Sequence, residues 1–569
     1  MGVRAVSREV LALLVACLVG APSVGTLFVG ALPLSTLQAQ GAPAPSCTTD
    51  TLTVGFPQRW LGTRIGQVSV DAHTVEAPPG FIGGVVRALH FTTRLSVPLN
   101  NLTFASGQPM DSLEIQESMR RLRRSGVYND VLLTGTHCGD GTTDITITTH
   151  DSWSLRGDVR YGRVTSRVSV SEMNVGGSGR SITAVAENVD DRAAVTLTYS
   201  DPYLLGSPLR GGLSLRNYGD GRSWGWNIRS RDFSPRDLWR MAFTSSQLMR
   251  QQLDVTQPVA LLIERRLDVL SFQRRIQQDE NGVTAVVFGV EHEKSDLDVV
   301  QRNARLGRPT VAREFTAPLV GFARRSMQVG AINWLVPGQQ SAEVPRGFDG
   351  EFVVGVGREL FVGGPITHFD SWGGYTAQPD ASTILTGDLW LSGYVENDSI
   401  ADGVARIAAA AYRRAPRGSW ALRVAAERVL NPDPDVFALS TVDPTLRALI
   451  PGSRLAESAF NVTLERSITA YTKDRRWAVD AVPFVQYTER HRNVASNDTL
   501  TTNPEALLLG IGIRRVWGQP SQAPLRFDIA KTVWMRGGVS NRWLFTISTQ
   551  PWFNISRRRQ GGRDLNNGR

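Results

Sequence analysis

Polar and apolar side chains alternate along most of this chain. In the segment Trp543–Phe553, Trp543, Phe545, Ile547 and Thr549 fall on one face, and Leu544, Thr546, Ser548 and Gln550 fall mostly on the polar other. Leu507, Leu509, Ile511 and Ile513 oppose Gly510, Gly512 and Arg514, and Leu525, Phe527, Ile529 and Val533 oppose Arg526, Asp528, Ala530 and Thr532. The same rhythm runs through Ala193–Asp201 and Leu385–Val395. A period of two, with one greasy face and one wet face, predicts strand from about Leu155 to Phe553. A soluble sandwich would alternate too. The segments number roughly sixteen to nineteen and are about ten residues long, which favours a barrel with lipid outside. Only a closed sheet leaves no unpaired backbone in hydrocarbon. The expected fold is mainly β: a transmembrane antiparallel β-barrel over residues 151–553, with about sixteen strands as the leading count.

Residues 65–150 carry a different pattern and predict a small α+β domain. Ile65–Val75 alternates as a strand, and Phe81–His90 suits a helix. Asp111–Ser125 is the clearest helix. Asp111 and Glu114 stand at capping-box spacing, and Ile115, Met119 and Leu122 form one apolar stripe. Arg120, Arg121, Arg123 and Arg124 crowd the end where the helix dipole favours cations, and Gly126 is suited to stop the helix. Tyr128–Thr136 and Thr143–Thr149 alternate as two strands around Gly139-Asp140-Gly141. The predicted order is β-α-α-β-β.

Composition narrows the function classes. Of 62 basic residues only Lys294, Lys473 and Lys531 are lysine, and the net charge is +9. Such an excess suits nucleic acid or anionic lipid. A coding bias toward arginine explains it as well, and no compact basic helix or aromatic–basic stripe points to nucleic acid. Residues 1–39 read as a secretion signal, with Arg4 and Arg8 before the apolar Val10–Val19 and Ala39 at a cleavage position. Leu14-Val15-Ala16-Cys17 resembles a lipoprotein signal, but the apolar run continues past Cys17. Residues 40–64 read as a linker that opens with the Pro/Ala-rich Gly41–Ser46, and residues 554–569 as a basic disordered tail. Cleavage leaves Cys47 and Cys138, either a disulfide in an oxidising compartment or two thiols. No Gly-x-Ser-x-Gly or His-Glu-x-x-His occurs, and the seven histidines are scattered. No enzyme, metal or cofactor is expected.

Four segments in order carry a resemblance. These are Asp111-Ser112-Leu113-Glu114 through Leu122–Tyr128; Asp151-Ser152-Trp153-Ser154-Leu155; Glu172-Met173-Asn174-Val175-Gly176-Gly177-Ser178-Gly179; and Tyr199-Ser200-Asp201-Pro202-Tyr203-Leu204-Leu205-Gly206. With them the chain resembles the BamA/TamA-type outer-membrane proteins, whose surface-antigen-type barrels follow periplasmic POTRA domains. The resemblance covers nearly all of the mature chain and makes 65–150 a POTRA domain. Read from the residues alone, the glycines and Asp201-Pro202 are ordinary turn chemistry.

The resemblance implies a loop arginine that folds into the lumen and meets a wall acid. Val344-Pro345-Arg346-Gly347-Phe348 matches its letters, but Arg447 is favoured because five predicted strands follow it. The wall partner aligns with Gln486, with Asp480, Glu465 and Asp528 as other candidates. The resemblance also implies an outer-membrane location, with the POTRA domain in the periplasm. Partners are then outer-membrane lipid, unfolded or nascent polypeptide, and periplasmic chaperones or accessory lipoproteins. A client would add to the strand edge at Val127, Tyr128, Val131 and Leu133. The seam would lie between Leu155, Val159, Tyr161 and Phe545, Ile547, Phe553. The function expected is assembly or translocation of polypeptides at the outer membrane, with a two-partner-type secretion pore and a purely structural barrel as alternatives.

Overall fold

The computed structural model describes residues 47–52, 56–75, 90–137, 139, 141–161, 165–189, 192–219, 221–231, 237–253, 260–279, 281–301, 304–305, 311–326, 328–332, 334, 342–359, 364–396, 398–430, 458–473, 477–491, 505–517, 525–536 and 543–548. The signal at 1–39, the tail at 554–569 and all but His90 of the first predicted helix lie outside the described residues.

The N-terminal unit holds a four-stranded sheet: β1 (Thr48–Thr51), β2 (Arg64–His73), β3 (Tyr128–His137) and β4 (Thr142–Asp151), in the order β1-β3-β4-β2. β2 runs parallel to β4, and the other pairs are antiparallel. Helix α1 is Ser96–Asn101 and α2 is Ser112–Arg124. The N-cap of α2 is Asp111, whose carboxylate accepts from the Leu113 amide at 2.8 Å. Gly126, at φ +76°, turns the chain after the helix. Ile115, Met119 and Leu122 bury against Leu133, Ile145 and Ile147. Each such side chain contributes about 1.5–3 kcal/mol on leaving water.

Part of the segment read as a linker is instead built into this unit. Thr48–Thr51 pairs with Thr134–His137, and Trp60 is wholly buried. The indole lies over Gly135, where a Cβ would overlap the ring. A bulky aromatic that finds a side-chain-free patch of sheet cannot behave as a solvated connector.

The remaining strands, from Leu155–Tyr161 to Trp543–Ser548, form one antiparallel meander, and the strand order returns to its start through Ile547 opposite Tyr161. Twenty strands make up this ring among the described residues, with two-residue Ala304–Arg305 extending one edge. The leading count of about sixteen was too low. The charged stretch after Leu238 resolves into Trp239–Leu253, Ala260–Asp279, Gly282–Gln301 and Val311–Ser326. The tight turn inside it is closed by Asp279, which accepts from the amides of Asn281 at 2.8 Å and Gly282 at 2.7 Å. Two of these strands hold 20 residues each, roughly 65 Å of extended chain. That is about twice what a bilayer requires.

Side-chain polarity in the ring is the reverse of that in the N-terminal unit. Ile513 is 57% exposed beside Arg514 at 1%, and Phe527 is 47% exposed beside Asp528 at 3%. Leu385, Leu389, Leu422, Leu464, Val485 and Ile529 are likewise exposed. A sheet with apolar residues outside and charges inside suits an apolar surrounding medium. Among the described residues no helix is long and apolar enough to cross a membrane.

Candidate functional site

The N-terminal unit is fastened to one mouth of the ring by the motif residues. Asn174, 1% exposed, donates through Nδ2 to the Phe91 carbonyl at 3.0 Å and the Thr93 hydroxyl at 2.9 Å. Its Oδ1 accepts from the Gly179 amide at 2.8 Å. The Arg94 amide donates to the Gly177 carbonyl at 2.8 Å, and a Cβ on Gly177, at φ +74°, would overlap the Thr92 carbonyl. On the small-domain side, Asp151 accepts from the Thr93 amide at 2.9 Å. These residues therefore do more than make turns.

Tyr203 makes the second fastening. It leaves the ring, joins the core of the small domain and donates to the Val97 carbonyl at 3.1 Å. Burial pushes its phenol up to about 12, against the pull of Arg231, Arg210 and Arg121. Burial also raises the Tyr128 phenol, helped by the Asp151 charge. Asp201 caps the turn by accepting from the Tyr203 amide at 2.9 Å. Arg121 reaches Asp237 at 3.9 Å, and Glu117 of α2 faces Arg325 of the ring at 3.6 Å.

Inside the ring, the wall candidates sit among arginines. Asp480 accepts from Arg514 Nε at 3.1 Å and from Ser467 Oγ at 3.0 Å. Glu465 pairs with Arg423 at 3.3 Å, and Asp528 with Arg526 at 2.8 Å. Gln486 is buried on the same face as Asp480. Arg447 lies outside the described residues; its flanking strands, Gly418–Leu430 and Ser458–Lys473, meet at the end away from the small domain. Arg346 lies at the opposite end. Its guanidinium bonds Gln378, and its amide donates to the Gln328 carbonyl at 3.0 Å. The structure therefore does not bring Arg346 to the four wall candidates.

A hairpin absent from the sequence reading lies just before Arg346. Val329–Ile332 pairs with Ala342–Pro345, and Ile332, Trp334 and Val344 pack on Ile384, Tyr412 and Ala421 of the inner wall. The Trp334 indole donates to the Ala381 carbonyl at 2.7 Å. A second inner cluster joins four strands, three consecutive ones and Thr383–Glu396, which lies further round with two strands between. Arg265 reaches Glu293 at 2.8 Å, Tyr394 bonds Glu293, Arg313 reaches Glu396 at 3.0 Å, and Phe315 packs edge-on to Tyr394. Their meeting depends on how these strands lie round the sheet.

The client edge is partly occupied. Val127, Tyr128, Val131 and Leu133 are buried in the core, and β1 covers Thr134–His137. The Leu52 amide also donates to the Leu133 carbonyl at 2.8 Å. Cys47 is disulfide-bonded, and its neighbour Thr48 stands opposite His137; Cys138 itself lies outside the described residues. At the seam, Leu155 is half-buried and Val159 and Phe545 are exposed, while Phe553 lies outside the described residues. Among the described residues no group of three His, Cys, Asp or Glu side chains is placed to hold a metal.

No family model and no curated protein matches the sequence. Among solved structures, BamA from Haemophilus ducreyi lacking POTRA domains 1–3 is 13% identical, with 84% of each chain covered and a TM-score of 0.33. CdiB from Escherichia coli is 12% identical over 88% of this chain and 80% of that one, at 0.43. The alcaligin outer membrane receptor FauA from Bordetella pertussis is 11% identical over 74% and 81%, at 0.34. Likenesses this distant carry no argument about what the chain does. The class is defined by the molecule itself: a large, mainly β protein whose antiparallel ring has its polarity reversed.

Proposed function

We propose that this chain is an outer-membrane β-barrel with a POTRA-type periplasmic domain, acting in insertion or translocation of polypeptides. The observation that carries this reading is the clamp. Asn174, Gly177 and Tyr203 hold a small mixed sheet across one mouth of a ring that is apolar outside and charged inside. An extended polypeptide arriving from that side meets strand edges first, where main-chain pairing captures it without regard to sequence.

The inner face favours insertion over passage through the lumen. The hairpin carrying Trp334 occupies the wall at the clamped end, and the Glu293–Tyr394 cluster packs farther along. A polypeptide crossing the lumen would pass both. Insertion through the wall requires only that the ring open at its join.

Depletion of the protein followed by an inventory of the outer membrane tests this function. Broad loss of barrel proteins supports insertion, and loss of a single secreted polypeptide supports a pore. An unchanged outer membrane and secretome would leave a structural barrel. Locking the join separates the routes. Ile547 stands opposite Tyr161, so Tyr161→Cys with Ile547→Cys is the suitable pair. Full insertion activity with that disulfide formed would exclude opening at the join.

A further inference from the structure

The outer wall carries basic residues over exposed indoles in directly opposed pairs. Arg274 stands opposite Trp239, with its guanidinium 5.3 Å from the ring centre, and Lys531 stands opposite Trp543 at 5.6 Å. The third pair has more charge around it. Arg413, Trp420 and Arg466 are successive partners on three adjacent strands, and the Arg466 guanidinium lies 5.4 Å from the Trp420 ring centre.

Three details make this row a built site. Arg466 is held in place, donating to the Pro416 carbonyl at 2.6 Å and the Ser467 carbonyl at 2.9 Å. Arg417 stands on the adjoining turn at φ +54°, in a left-handed conformation that a long side chain rarely adopts. Asp380 on the neighbouring turn accepts from the amide and hydroxyl of Ser382 at 2.6 Å each and also feels the Arg413 charge, so it offsets only part of the row's positive excess. On the side away from the turn the next outward row is Ala411, Leu422 and Leu464, with both leucines exposed, and Ile468 is exposed on the turn side of Arg466. Arg413 and Arg466 therefore flank Trp420 beside an apolar row, with Arg417 on the adjoining turn at the clamped end. A cation there would be costly in hydrocarbon but favourable beside a phosphate, and an indole belongs at the same depth.

We propose that Arg413, Arg417 and Arg466, with Trp420 as their platform, bind the headgroup phosphate of an anionic phospholipid in the periplasmic leaflet. Planar guanidiniums suit phosphate through paired N–H donors. This proposal rests on the reading of the ring as membrane-spanning.

The full chain is tested in vesicles of phosphatidylcholine with or without phosphatidylglycerol. Flotation measures insertion, and mass spectrometry of the extracted protein measures retained lipid. Wild type should retain phosphatidylglycerol over phosphatidylcholine, and Arg413→Gln with Arg466→Gln should lower that retention at least tenfold while flotation is unchanged. Arg413→Gln alone should lower it severalfold, and serves if the double variant fails to fold. Equal retention in wild type and variants, all floating, would overturn the site and leave the membrane reading intact. Failure of wild type to float would overturn both. Displacement of the lipid by inorganic phosphate would show a site for the free anion, and would overturn the lipid assignment.

Discussion

Gly177 of the ring lies so close beneath the Thr92 carbonyl of the small domain that no side chain fits between them. The contact joins two units that the sequence places about eighty residues apart, and it supplies the first prediction. Gly177→Ala should loosen the clamp, because it adds both an overlap and a strained left-handed alanine, the latter alone costing about 1 kcal/mol. Asn174→Ala should do the same by leaving the Phe91 carbonyl and Thr93 hydroxyl without their donor. Faster proteolysis between the two units, with an intact ring, is the expected result.

Asp480 and Arg514 are both fully buried on the inner wall. Removing one partner strands the other, at about 3–5 kcal/mol, whereas replacing both with apolar residues costs far less. Asp480→Leu should therefore lower the ring's melting temperature more than Asp480→Leu combined with Arg514→Leu. Heat-dependent gel migration measures the difference.

Trp334 anchors the inner hairpin by its indole bond to Ala381 and by packing on Tyr412. Trp334→Ala should release it and raise single-channel conductance in planar bilayers. Unchanged conductance would mean that the hairpin does not limit the path.

β1 lies along the edge that a client would use, and Cys47 at its head is disulfide-bonded. Cys47→Ser should free β1, expose Thr134–His137 to hydrogen exchange, and increase capture of an extended peptide by cross-linking. Mass mapping of the unreduced protein should find Cys47 joined to Cys138.

Tyr203 enters the small domain's core as the neutral phenol. With its pKa raised to about 12, its contribution is whole below the ordinary value of 10.0 and is lost as the pH rises through about 12. The clamp should therefore open between these limits. Tyr203→Phe gives up the bond to Val97, about 1 kcal/mol, but carries no phenol to ionise. Its release should shift to higher pH in an alkaline proteolysis series.

Alternation by itself determined most of the strands, because period two puts Ile511 and Ile513 on one face and Gly512 and Arg514 on the other wherever the strand sits. It also located α2 and its cap, both set by residues within one or two turns of helix. Local signals of this kind are legible without neighbours. The strand number was not, because turns such as Asp279–Gly282 are closed by a single side chain inside a charged run. Trp60 could not be placed either, since nothing near it in sequence reveals that Gly135 leaves room for its ring.

The site was decided almost wholly by tertiary structure. Asn174 and Tyr203 stand in motifs whose glycines and Asp201-Pro202 read as turn chemistry, and only docking brings Phe91, Thr93 and Val97 within hydrogen-bond reach. Asp480 and Arg514 were legible as inward-facing, but which charges pair depends on register across strands. Arg413, Trp420 and Arg466 are spread over more than fifty positions of chain and become one row only when three strands lie side by side. Periodicity tells which way a side chain points; closure of the sheet decides what it meets.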